Sequence, residues 1–196
     1  MNYREKTILQ KILIWIGVCL LLSAVATLIL LQWNIQASKQ QAQDYVQLLR
    51  TIIPSPQNAA LEERRDNTMP VFSLDGTDFV GILEIPLYDS ALPVCADWGN
   101  PIRYPHCLSG SIYDGSIQIG GTTQSGQYDF YRSISVGDQL FFTDMEGNRY
   151  TLEVSNLRYE KHADQATLQQ TPADLTLFIK NIYAFEYLLV SCEICA

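Results

Sequence analysis

Apolar positions along this chain fall into three regimes. From Ile12 to Leu31 they form twenty uncharged residues, ILIWIGVCLLLSAVATLILL, a run long enough as a helix to span a ~30 Å hydrocarbon layer. From Asn34 to Ile53 the pattern becomes amphipathic. Ile35, Ala42, Tyr45, Leu49 and Ile52 recur at spacings of three, four and seven with Gln and Lys between them, and Pro54 and Pro56 stop the helix. From Val71 onward short alternating runs are punctuated by Gly, Pro, Asp and Asn. These predict strands over Phe79–Ile85, Leu92–Val94, Ser116–Gly120, Gln139–Thr143, Arg149–Tyr159, Asp174–Phe178 and Glu186–Cys192. Thr143–Asn148 reads as a hairpin loop in which Gly147 supplies a positive φ. Helix is expected only in short pieces near Tyr128–Ser133 and Asp164–Gln169. Many short strands at this spacing predict a mainly β domain, closed or nearly closed into a barrel.

The order of these regimes predicts a domain plan. Arg4, Lys6 and Lys11 precede the apolar run and the first cation after it is Lys39, so the rule of cytoplasmic positive charge puts residues 1–11 inside the cell and the rest outside. Residues 12–33 then form a transmembrane signal anchor ending at Trp33. A cleaved leader has a shorter apolar core and a small-residue site at its end, whereas Ala24-Val-Ala26 sits mid-run. Residues 34–53 read as a helical stalk, a spacer packed on its own domain. Residues 54–70 read as a linker, and 71–196 as the β domain.

Composition narrows the function. The net charge of −8 leaves no basic stripe for phosphates, which excludes nucleic acid as a partner. Cys192-Glu-Ile-Cys195 lacks a second pair or a histidine, so no metal is expected. Outside a cell Cys95, Cys107, Cys192 and Cys195 could form one or two disulfides, and parity does not choose among the pairings. Gly120-Gly121 lacks the following Lys-Ser/Thr of a phosphate loop, and no Gly-x-Ser-x-Gly elbow occurs. No cofactor is expected.

Several stretches in order resemble one family. Gly81-Ile-Leu-Glu-Ile-Pro86 is similar to the opening strand of the sortases, membrane-anchored transpeptidases of Gram-positive bacteria. Val136-Gly-Asp138 through Gly147 to Tyr150-Thr-Leu-Glu-Val154 resembles that family's Gly-Asp strand, hairpin and Tyr-x-x-Glu-Val strand. Tyr104-Pro105 to Ser109-Gly-Ser111 is similar to a segment of class B-like sortases, and Asp174–Phe178 to the lead-in of the Thr-Leu-x-Thr-Cys motif. The resemblance spans residues 79–194 and implies an eight-stranded β-barrel with short helices behind a transmembrane helix and stalk.

It also implies a chemistry. A thiolate attacks a sorting-signal amide and leaves again to an amine, a histidine moves protons, and an arginine steadies the oxyanion. Carried over residue by residue, the histidine falls on Gly121, the cysteine on Lys180 and the arginine on Tyr187. None of these can do the family's work. His106 and His162 are the only histidines, and both read as loop residues. A rival register sets Leu188-Leu-Val-Ser-Cys192 on the cysteine motif, with Cys192 as nucleophile. It leaves Asp174–Phe178 without a counterpart and expects a further strand and an arginine beyond Ala196.

The residues thus support three readings. The chain is a non-catalytic sortase-like module on a membrane anchor, with sorting-signal peptides, surface proteins or an active sortase as partners. Alternatively it is a working cysteine transpeptidase using Cys192, or a decayed copy without function.

Overall fold

The structure is a computed structural model that describes residues 3–58, 66–97, 104–123, 128–161, 173–181 and 184–195, with side chains from residue 11 onward. The chain divides into two compact units, residues 1–37 and residues 38–196. Helix α1 runs Tyr3–Ile52. Over residues 11–34 its apolar side chains are exposed, Trp15 and Trp33 among the most open. This helix is long and apolar enough to cross a membrane.

The second unit is a β-barrel. Among the described residues there are ten strands: β1 Gln57–Asn58, β2 Phe72–Leu74, β3 Thr77–Ile85, β4 Ser90–Cys95, β5 His106–Ser109, β6 Ile117–Thr122, β7 Gln139–Asp144, β8 Asn148–Glu160, β9 Leu175–Asn181 and β10 Glu186–Ile194. Following hydrogen-bonded neighbours gives β8-β10-β9-β6-β5-β4-β3, and β7 pairs with both β3 and β8. Eight strands thus close on themselves, and β1 and β2 are short additions on β8 and β3. Closure removes the exposed edges of an open sheet. The expected barrel of short strands is the one observed. Its interior comes from alternate residues, as a half-turn per residue demands: Ile117 and Ile119, Leu175, Leu177 and Ile179, Leu188, Val190 and Cys192, with Leu140, Phe142, Leu152 and Val154 opposite.

A second apolar cluster lies outside the barrel. Ala42, Val46, Leu49 and Ile53 from the end of α1 bury against Phe79, Ile82, Cys95 and Tyr104. The buried stripe is set one residue away from the predicted one at its end: Ile53 is buried while Ile52 is 40% exposed. The buried residues Ala42, Val46, Leu49 and Ile53 keep helical spacing, and the Ile53 N–H still donates to the Leu49 carbonyl at 2.8 Å, so Ile53 continues the buried stripe and Ile52 is turned off it. Beyond it, β1 pairs in parallel with β8 inside the stretch expected as linker. Neither β5 nor β2 is foreseen from the sequence, because both are too short to show alternation. The short helix near Tyr128–Ser133 is a 3-10 turn over Asp129–Arg132. Asp164–Gln169 lies outside the described residues.

The β7–β8 hairpin shows how local chemistry sets a turn. Asp144 is fully buried, and its carboxylate accepts from the backbone N–H of Glu146 and of Asn148, both at 2.9 Å, and from Asn148 Nδ2 at 2.8 Å. The hydroxyl of Tyr113, from the turn before β6, donates to the same carboxylate at 2.8 Å. Gly147 takes φ 87°, as the loop reading requires. Hydrogen bonds to a buried charge are worth about 1.5–3 kcal/mol each, and removing the charge orphans the donors. We therefore expect Asp144→Ala to cost about 3 kcal/mol or more in equilibrium denaturation, with Tyr113→Phe costing a smaller part of the same network.

Candidate functional site

The three positions matched to the sortase catalytic residues sit where β6, β9 and β10 run side by side. β6 and β9 pair in parallel, with Gly121 opposite Ile179 and Thr122 opposite Lys180. β9 and β10 pair antiparallel, with Lys180 opposite Tyr187 and Ile179 opposite Leu188. Partners in register point to the same side of a sheet. Leu175, Leu177 and Ile179 enter the core, so Thr176, Phe178 and Lys180 face outward. The outward row at the end of the parallel pair is therefore Thr122, Lys180 and Tyr187.

Lys180 is exposed, and its Nζ stands 5.8 Å from the centre of the Tyr187 ring. That geometry is a cation–π contact, worth about 0.5–1 kcal/mol at an exposed site. Lys180 and Tyr187 are thus neighbours on one face of the sheet. Gly121 is one step back in register and faces the other way. A Cβ built on it would lie 2.1 Å from Cε2 of Tyr128 and 2.9 Å from its hydroxyl. Tyr128 fills the space that a side chain at 121 would need. The residue is 1% exposed, and its hydroxyl has no hydrogen-bond partner among the described residues. Burial pushes the phenol strongly up from its ordinary value, so it stays protonated.

Cys192 belongs to the opposite face of β10. It is 0% exposed among the core residues of the barrel, and desolvation pushes its thiol far above the ordinary range. A thiolate is the reactive species, and an apolar interior opposes its formation. All five cysteines are unpaired, including Cys95, buried on β4 with its thiol pushed up to about 12 by desolvation.

His106 is not a loop histidine. It opens β5, is 3% exposed, and pairs with Gly120 on β6 and Cys95 on β4. Burial lowers its pKa, partly offset by a hydrogen bond to the Tyr104 backbone. Gly120 is opposite Phe178, so His106 lies two strands and two residues from Lys180, about 12 Å by strand spacing. Its burial has no sequence signal because β5 itself has none. His162 lies outside the described residues.

One further constellation is equally silent in the sequence. Asn181 Nδ2 donates to the Tyr131 hydroxyl at 2.7 Å, and that hydroxyl donates to Glu186 Oε1 at 2.8 Å. The Ala184 N–H donates to Asn181 Oδ1 at 3.3 Å. Asn181 and Glu186 are register partners next to Lys180 and Tyr187. The network therefore holds the ends of β9 and β10 from below. Desolvation, then the Glu186 hydrogen bond, raises the Tyr131 pKa, and the Asn181 donor opposes this. Its members are some 50 residues apart, beyond any local pattern. Among the described residues no group of three or more His, Cys, Asp or Glu could hold a metal ion.

No family model and no curated protein matches the sequence. Solved structures do. Sortase C1 from Streptococcus agalactiae superposes with a TM-score of 0.53 at 21% identity, covering 63% of this chain and 71% of that one. Sortase C-3 from Streptococcus pneumoniae gives 0.53 at 20% identity over 84% and 85%. Sortase A from Corynebacterium diphtheriae gives 0.52 at 16% identity over 85% and 84%. The chain has the sortase fold.

The packing at Gly121 makes a testable demand. Gly121→His forces a side chain into the Tyr128 ring and is expected to cost about 1–3 kcal/mol, the range for overpacking a core. Tyr128→Ala leaves a cavity and is destabilising alone, but the double variant should lose less than the sum of the two. A double-mutant cycle by denaturation measures that coupling. The pH profile has its own sign. The Cys95 thiol is raised from 9.0 to about 12 in the fold, so the unfolded state ionises first. Its contribution is complete below about pH 9 and disappears as pH rises to about 12. Stability should fall through that window, and Cys95→Ala should flatten the fall.

Proposed function

We propose that this chain is a membrane-anchored sortase-like protein that has lost transpeptidase chemistry and acts as a binding or accessory module for cell-surface proteins. The observation that carries the reading is the outward row Thr122, Lys180 and Tyr187, which holds no thiol at the position matched to the sortase cysteine. The burial of Cys192 inside the barrel supports it, because a core thiol has neither the access nor the ionisation that acyl transfer requires. The packing of Tyr128 against Gly121 supports it from the histidine side.

In this reading residues 12–33 anchor the chain, residues 1–11 lie in the cytoplasm and the barrel is displayed outside the cell. The anchor fits a helix of sufficient length and apolarity, and the orientation rests on Arg4, Lys6 and Lys11. The bacterial group and the subclass are inherited from the resemblance. The similar solved structures include sortases named A, C and D, and the class B-like assignment rests on the segment at Tyr104–Ser111 alone. The ligand is a sorting-signal peptide or a surface protein that presents one, recognised without cleavage.

The test is mass spectrometry of the full chain in detergent after incubation with labelled sorting-signal peptides. The expected outcome is an unmodified protein with no cleaved peptide, alongside saturable peptide binding that weakens about fivefold or more in Lys180→Ala. A thioester adduct on Cys192 would sink the proposal and restore the transpeptidase reading. Failure of any peptide or surface protein to bind a folded chain would leave the decayed-copy reading in its place.

A further inference from the structure

On the side of the barrel formed by β3, β7 and β8, two arginines converge on one carboxylate. Arg50, in the last turn of α1, pairs with Glu84 Oε1, and the Arg149 guanidinium pairs with Glu84 Oε2 at 3.1 Å. Arg149 is further fixed by lying 4.1 Å above the centre of the Phe141 ring. These three charges border a cavity of about 190 Å³ whose remaining wall is Ile53, Pro54, Pro56, Ile82 and Thr143. It includes no residue of β6, β9 or β10, so it is separate from the row at Lys180.

The charge balance of this cavity is unusual for the molecule. Among the described residues two guanidinium groups face one carboxylate, a surplus of one positive charge in a chain whose net charge is −8. Each guanidinium carries five N–H donors in a planar fork, and each directs one nitrogen at Glu84. The remaining donors are available to a second carboxylate in the bidentate manner guanidinium favours. The end of α1 adds the partial negative charge of its free carbonyls, which cuts the surplus and disfavours a dianion such as phosphate. Apart from Thr143, the wall beyond the charges is apolar.

We propose that this cavity is a binding site for a monocarboxylate carried on a short apolar group. Free small acids and the C-terminus of a peptide ending in an apolar residue share that chemistry. The proposal stands apart from the loss of catalysis at the β6–β9–β10 row and is independent of it.

Calorimetric titration of the full chain in detergent tests it, with N-acetyl-leucine and N-acetyl-leucinamide as the paired probes. The acid is expected to bind at least tenfold more tightly than the amide. Arg149→Gln and Arg50→Gln should each weaken the acid about fivefold or more, whereas Glu84→Gln should tighten it by removing the competing carboxylate. A purely structural ion-pair triad predicts no such gain. A tetrapeptide ending in leucine then separates the sources: tighter binding than N-acetyl-leucine points to a peptide C-terminus, equal binding to a free acid. Equal affinity for acid and amide overturns the proposal, as does a folded Glu84→Gln variant whose affinity for the acid is unchanged or lower. Should Glu84→Gln not fold, as judged by circular dichroism, Arg50→Gln decides, because that side chain is 53% exposed and its loss leaves the core intact.

Discussion

The closure of the sheet by β7 is the constraint on which the rest depends. β7 hydrogen-bonds to β3 on one side and β8 on the other, and without both ladders the remaining strands would form an open sheet with two free edges. The approach on the β3 side is close: a Cβ at Gly81 would meet the Thr143 carbonyl oxygen at 2.4 Å. The buried Asp144 then turns the chain from β7 into β8 at the point where Gly147 N–H also donates to its carbonyl, at 3.2 Å. Closure gives the alternating residues of every strand a common interior. It also leaves the outer face of β3 and β4 free to receive the end of α1.

That closure also determines what the candidate site can be. Parallel pairing of β6 with β9 carries both chains to the same end of the barrel, and β10 returns beside them. Polar groups presented there face outward in a row, while the next row back is core. Lys180 and Tyr187 occupy the outward row as a cation resting on an aromatic face. Gly121 and Cys192 fall on the inward side, one opposite a buried tyrosine ring and the other among core aliphatics. The groups the row presents are an amine, an aromatic surface and the Thr122 hydroxyl.

Much of this is legible along the chain, and the reasons are local. The transmembrane-length run of α1, the alternation in β7, β8 and β10, and the Asp-Met-Glu-Gly-Asn hairpin all depend on neighbours within a few residues. Lys180 and Tyr187 are register partners, and the two strands that carry them, β9 and β10, are close neighbours in sequence. The features that escape are short or distant. β5 has four residues and its alternation cannot be distinguished from loop, so His106 reads as exposed although it is buried. Tyr128 and Tyr131 look like parts of a small helical turn, yet one fills the space at Gly121 and the other anchors Asn181 and Glu186.

By itself, the sequence determined the residue types at the matched positions, the span of apolar helix and the mainly β character of the chain beyond Val71, because composition and short periodicity carry those properties. Only the tertiary structure decided which of them face one another. A strand residue's environment depends on its side of the sheet, and that side is set by pairings with strands far away in the chain. For that reason Cys192 is core, His106 is buried two strands from Lys180, and the space beside Gly121 is already filled by Tyr128.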